Sequence, residues 1–239
     1  MRNKSKTRGI ALVIVGVLVL MVGLILYSQV DNDITVADKE YIGKILNNKS
    51  IDYQTISSFQ DEVNFIQYVQ ASVLQAAPTN KGLSHGEPRE PQQLYEAGYG
   101  LCFDRSRVIE KALRSNGFET RHISVFSLEK YNSPLKAILV PGVRSHALSE
   151  VKTSKGWMFV DSNSTLIGLT ADNQPVDMKR LKQEGFYNVK WIASNDVHKR
   201  IIFQKPFTYV YGLYSRHGKF YPPFTPVPDI YWPELVQNF

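Results

Sequence analysis

The sequence predicts an α+β domain held behind one apolar N-terminal helix. Three observations lead there. An unbroken apolar run occupies residues 9–27, helical patterning dominates residues 37–115, and short alternating strands follow between 119 and 161. The 239 residues are 43% hydrophobic and 21% charged, with 15 glycines and 12 prolines. That composition suits one folded domain with appendages and excludes a disordered or collagen-like chain.

The net charge of +6 is concentrated at the start. Arg2, Lys4, Lys6 and Arg8 supply four positive charges, and residues 1–30 hold no acid. Without those four, 24 basic residues face 22 acidic ones. No later segment has the dense Lys/Arg clustering of a nucleic-acid surface, so no nucleic-acid partner is expected.

Residues 9–27 are nineteen residues with neither charge nor amide. As a helix they span about 28 Å, close to the hydrocarbon thickness of a bilayer. The basic tail should stay cytoplasmic, which sends the rest of the chain across. A cleaved signal peptide would have a shorter apolar core and an A-x-A-like site. Here Tyr27-Ser28-Gln29-Val30 follows. We therefore expect a single-pass anchor in a cell inner membrane or plasma membrane, with the domain on the periplasmic or extracellular side.

A polar linker follows, then a short helix over 37–47. The stronger helix covers 58–77, where Phe59, Val63, Ile66, Val69, Val73 and Ala77 recur at three- and four-residue steps. Ser58 and Asp61 form a capping signal, and Pro78 ends the helix. Residues 78–98 read as a long loop. The next helix begins at Gly100 to Cys102 and ends near Ser115, with Val108, Ile109, Ala112 and Leu113 inward and Asn116-Gly117 as a left-handed stop. Strands are predicted over 119–128 (Ile123 and Val125 inward), 145–151 and 157–161, with a short apolar run at 137–140. A helix is predicted near 178–184. The last 39 residues hold eleven aromatics and six of the twelve prolines. They read as a hairpin of 207–214 with 219–221, then an extended strap or stacking platform.

Chemistry concentrates in three segments. Cys102 is the sole cysteine, so there is no intramolecular disulfide. A lone exported thiol is either buried and inert or kept for its reactivity. Glycines at 98 and 100 let the chain enter the helix tightly. In the first helical turn, outward N–H groups favour a thiolate and can bind an oxyanion. His146 opens a strand and can serve as a base. Asp161 closes an apolar strand and can orient an imidazole. Pairing Val151 with Gly156 across a four-residue loop sets Leu148 opposite Phe159 and His146 opposite Asp161, within hydrogen-bonding reach. A one-residue slip would put the two side chains on opposite faces. His122 is the second choice of base. His85, His198 and His217 read as solvated, Trp157 as core or cleft wall, and Asp104 as a helix-start acid.

Cysteine on a helix, histidine on a strand and aspartate on the next strand, in that order, resemble the transglutaminase-like superfamily with its papain-like core. Leu113-Arg114-Ser115-Asn116-Gly117-Phe118-Glu119-Thr120-Arg121 resembles that family's passage from cysteine helix to strand. His146-Ala147-Leu148-Ser149-Glu150-Val151 resembles its histidine strand, and Gly156-Trp157 through Asp161 its aspartate strand. The likeness covers about residues 90–165. The chain departs from the family at Leu148, where an aromatic is common, and at Asp161-Ser162-Asn163, where Asp-Pro-Thr is common. The resemblance implies a cysteine-bearing helix packed on an antiparallel sheet, with Cys102 as nucleophile, His146 as base and later acid, and Asp161 as orienter.

The expected organisation is a basic tail at 1–8, an anchor at 9–28, a linker and short helix at 29–57, the transglutaminase-like domain at 58–200 and the extension at 201–239. The expected activity is attack on an amide-type carbonyl through an acyl-enzyme, as a cysteine peptidase or amidase, or in transglutaminase-type transfer. The substrate would be a protein, a peptide, or a peptidoglycan- or glycan-linked group of a bacterial envelope. No cofactor and no metal are expected, for want of a zinc-spaced cluster, a phosphate loop or a dinucleotide fingerprint. The alternative is a non-catalytic scaffold or binding module of an envelope assembly.

Overall fold

The computed structural model describes residues 2–192, 201–215 and 229–239. The apolar run lies in α1 (Arg2–Ser28), and its described side chains from Ile10 to Tyr27 are exposed. Among the described residues, which on α1 are interrupted at the side chain of Ala11, no helix is long and apolar enough to cross a membrane. The transmembrane helix expected at 9–28 is thus not found among them. What stands there is an apolar helix without a buried stripe.

The chain then builds α2 (Val36–Ile45), capped by Thr35, whose hydroxyl accepts from the Asp38 N–H at 3.0 Å. The stripe read from the sequence becomes α3 (Phe59–Ala76), capped by Ser58, with Val63, Ile66, Val69 and Val73 buried. A further helix, α4 (Pro91–Ala97), interrupts the expected 78–98 loop. It is too short to show a period. Pro91 pre-sets its first turn, Gly98 at φ +67° ends it, and the fully buried Leu94 holds it in the core.

The cysteine helix is α5 (Cys102–Arg114), followed by a left-handed Gly117 at φ +88° and by β1 (Thr120–Ser127). The apolar run at 137–140 lies mostly in a short helix, α6 (Pro134–Leu139), capped by Ser133. Next come β2 (Ser145–Thr153), β3 (Gly156–Asp161) and α7 (Met178–Glu184). The end of the chain holds β4 (Phe207–Tyr211), β5 (Leu213–Tyr214), β6 (Asp229–Ile230) and α8 (Trp232–Leu235).

β3, β2, β1 and β4 form one antiparallel sheet in that order. On one face Val151, Met158 and Val160 pack under α5 and α3. On the other, Ile123, Val125, Leu148 and Phe159 meet Leu166, Val176, Leu181 and Phe203. Each fully buried aliphatic side chain contributes about 1.5–3 kcal/mol, so these two layers hold the sheet.

The expected hairpin of 207–214 with 219–221 does not form as drawn. Residues 207–211 join the main sheet beside β1, and 219–221 lie outside the described residues. β4 therefore carries the sheet across the expected 200/201 boundary. The described tail behaves as a strap: β6 pairs with β5, Ile230 O accepts from the Val30 N–H at 2.8 Å, and Glu234 of α8 accepts from the His122 N–H at 2.9 Å.

The β2–β3 register also differs from the expectation. Thr153 pairs with Gly156 around a two-residue turn, so Asp161 stands opposite Leu148 and Glu150 opposite Phe159. The Glu62 carboxylate of α3 accepts the Ser154 N–H and hydroxyl, which pins the tighter turn. The shift is two residues, so the side chains keep their faces. His146 and Asp161 become diagonal neighbours on one face, within reach of long side chains.

Candidate active site

Cys102 opens α5, and the approach to it is tight. A Cβ at Gly100 would lie 2.9 Å from the Leu94 side chain and 3.2 Å from Asp104 Cβ. The Gly100 N–H donates to Thr79 O at 3.1 Å. The Asp104 carboxylate accepts from the Leu101 N–H at 2.8 Å and pairs with buried Arg89. The acid at the helix start is thereby matched by a cation, so little of its charge opposes a nearby thiolate.

Three side chains then converge. The thiol of Cys102 and the imidazole of His146 are near enough for each to shift the titration of the other. Nε2 of His146 lies 2.7 Å from Oδ1 of Asp161, which leaves Nδ1 for the sulfur. His146 is 6% exposed and Asp161 fully buried, while Cys102 keeps partial exposure. Asp161 is held in turn. Its Oδ1 also accepts from the Asn163 N–H at 3.1 Å, and Oδ2 accepts from the Ser164 hydroxyl at 2.6 Å. Gln70 Nε2 reaches from α3 to the carbonyls of Asp161, Ser164 and Leu166 at 2.8, 2.8 and 3.0 Å.

The electrostatics favour a charged pair. Burial pushes the Cys102 thiol up. The hydrogen bond and charge of His146, with the N–H groups of Ala147 and Phe103, outweigh burial and bring the thiol below its usual range. Burial pushes His146 down, but the Asp161 charge and hydrogen bond, together with Cys102, raise it to about 9. Both shifts stabilise thiolate beside imidazolium.

The other histidines stand apart. His122 is buried with Nδ1 2.7 Å from Glu110 Oε1 and 3.2 Å from the Ser106 hydroxyl, and it stacks on Tyr214 at 4.1 Å. It cements α5 to β1 and to the strap. His85 is exposed in the 78–90 loop, and His198 and His217 lie outside the described residues. Trp157 stacks on the Arg121 guanidinium at 4.1 Å, a sheet-surface contact. Among the described residues no group of three His, Cys, Asp or Glu side chains is placed to hold a metal ion.

Sequence reasoning missed the supports of the site. Gln70 could have been found, because a polar residue interrupts an otherwise apolar face four positions after Ile66. Arg105 and the Asn163 side chain gave no such signal, since they meet each other 58 residues apart in sequence, and Ser164 reads as an ordinary turn residue three positions after Asp161.

The transglutaminase-like superfamily core matches residues 47–162. Among solved structures, a candidate protease from Parabacteroides distasonis is similar over 60% of this chain and 28% of its own, at 8% identity and a TM-score of 0.39. A structure named as a TGase matches over 62% and 36%, at 17% identity and 0.35. A Rad4–Rad23 complex bound to a 6-4 photoproduct lesion matches over 83% and 52%, at 12% identity and 0.35. The chain thus spans less than two thirds of each. No curated protein matches. The sequence match, not these distant structures, makes the assignment: residues 47–162, with cysteine helix, histidine strand and aspartate strand in order, are a domain of the transglutaminase-like superfamily.

Proposed function

We propose that this domain is a thiol enzyme acting on amide-type carbonyls. The supporting observation is that half-buried Cys102, His146 and buried Asp161 come together, with His146 Nε2 2.7 Å from Asp161 Oδ1. In this reading the thiolate attacks the carbonyl carbon and a C–S bond forms. N–H groups at the start of α5 donate hydrogen bonds to the oxyanion. The His146 imidazolium gives its proton to the departing amine as the C–N bond breaks, leaving a thioester. Water or a second amine then attacks, His146 takes its proton, and the C–S bond breaks to return the thiolate. Water makes the chain a peptidase or amidase, and an amine makes it a transferase.

The same proposal gives α1 the role of anchor. An apolar helix exposed around its circumference is stable in lipid and costly in water. The acyl donor would then be an envelope protein, a peptide, or a peptidoglycan- or glycan-linked group. Carbonate extraction of membranes checks the anchor: full-length chain should stay in the pellet and a chain lacking residues 1–28 should not.

The test of the activity is alkylation of Cys102 by iodoacetamide from pH 5 to 9, in the full chain and in His146→Ala. Reaction well below pH 8 that His146→Ala abolishes is expected, with an acyl adduct on Cys102 found by mass spectrometry of membranes. A sulfur that reacts like a free peptide thiol would instead make the domain a scaffold.

A further inference from the structure

Arg105 sits three residues after Cys102 on α5 and is 3% exposed. A buried guanidinium is costly unless its donors are met. Here Nε donates to Ala77 O at 2.8 Å, one terminal nitrogen to Thr79 O at 3.0 Å, and the other to Asn163 Oδ1 at 2.6 Å and Asn80 Oδ1 at 3.4 Å. Asn163 follows Asp161 by two residues, and its N–H holds the same Asp161 Oδ1 that receives His146. The contacts therefore close a circuit. From Cys102 they run through His146, Asp161 and Asn163 to Arg105, which is back on the cysteine helix one turn further in.

We propose that Arg105 is a positioning residue, fixing the loop behind Asp161 to the helix that carries the reactive sulfur, with Asn163 as the link. This rests on the thiol-enzyme reading above. It gives Asn163 a purpose: the site trades a stiff Asp-Pro-Thr ending for an amide that the helix can grip. Arg105 also binds Thr79 O, which accepts the Gly100 N–H, so one side chain sets both the glycine approach to Cys102 and the far end of the acid loop. An error there would reach the sulfur from two sides.

The experiment measures the pH profile of Cys102 alkylation in full-length Arg105→Met, Asn163→Ala and the double variant, with the melting temperature recorded for each. The expected result is an apparent thiol pKa about one unit higher in each single variant, hence roughly tenfold slower alkylation below that pKa. The double variant should be no worse than Arg105→Met alone, because Asn163→Ala removes only a contact that Arg105→Met has already removed. Asn163→Ala keeps the guanidinium, so a shift there excludes a simple loss of positive charge, and it decides the matter should Arg105→Met fail to fold. An unchanged profile in folded Asn163→Ala overturns the proposal, even where Tm falls. A wild-type sulfur with an ordinary thiol profile would overturn the enzyme reading itself, a separate outcome.

Discussion

Asp161 pairs across the ladder with Leu148, yet its carboxylate lies 2.7 Å from the His146 imidazole two residues up the partner strand. The diagonal works because both side chains are on one face and because Asn163, Ser164 and Gln70 fix the acid and its backbone. The carboxylate is held by His146, the Asn163 N–H and the Ser164 hydroxyl and has little freedom to turn away.

Asp161→Asn tests that relationship. An amide can present N–H to Nε2, which would force the other imidazole tautomer and remove the charge that raises His146. A loss of about 10²-fold or more in turnover is expected, with alkylation at pH 6 falling in parallel. Rates within a factor of three of the parent would rule out an orienting role.

The pH dependence follows from the two shifts. His146 is raised to about 9 in the fold, above an unfolded value near 6.5. Its contribution to stability is therefore complete below about pH 6.5 and is lost as pH rises through about 9. Cys102 is lowered, so its contribution is present above the ordinary thiol range and is lost as pH falls through its folded value. Activity should form a plateau whose alkaline limb falls near 9 and whose acid limb lies below the ordinary thiol range. A rate profile that only begins to rise near pH 8.5 contradicts the pair.

Gln70→Leu keeps volume but strips the donor from three carbonyls, two of them on buried residues. Unsatisfied buried groups of this kind should cost on the order of 2–3 kcal/mol in total. Urea unfolding gives the stability, and alkylation kinetics should show a slower Cys102 as the Asp161 loop relaxes. No change in either would mean that the loop is held without α3.

Gly212 adopts φ +74°, and an added Cβ would lie 2.5 Å from Leu235 N and 2.6 Å from Tyr231 O. Gly212→Ala should therefore lift α8 from the sheet and cost about 1–3 kcal/mol. Limited proteolysis should cut after residue 229 sooner in the variant. Equal cleavage rates would show that the strap does not depend on this approach.

The sequence by itself was enough to single out Cys102, His146 and Asp161, which the fold brings together, and for the elements with a strong period. Ser58 capping, the Val63–Ile66–Val69–Val73 stripe, the Gly117 stop and the alternation around His146 are local signals, each set by the geometry of its own segment. Only the tertiary structure decided what those signals leave open. The turn at Ser154 is tightened by Glu62 from α3, which moved the register by two residues. The short α4 exists because Leu94 is buried under neighbouring helices, not because of propensity. Most of all, α5 is covered on nearly every side: beyond its apolar stripe, Asp104 meets Arg89, Arg105 meets Asn163, Arg107 meets Glu90, Glu110 meets His122 and Lys111 meets Asp38. A charged residue in sequence reads as solvent-facing. Whether it is buried depends on an opposite partner that the chain brings back from far away, and no local pattern encodes that return.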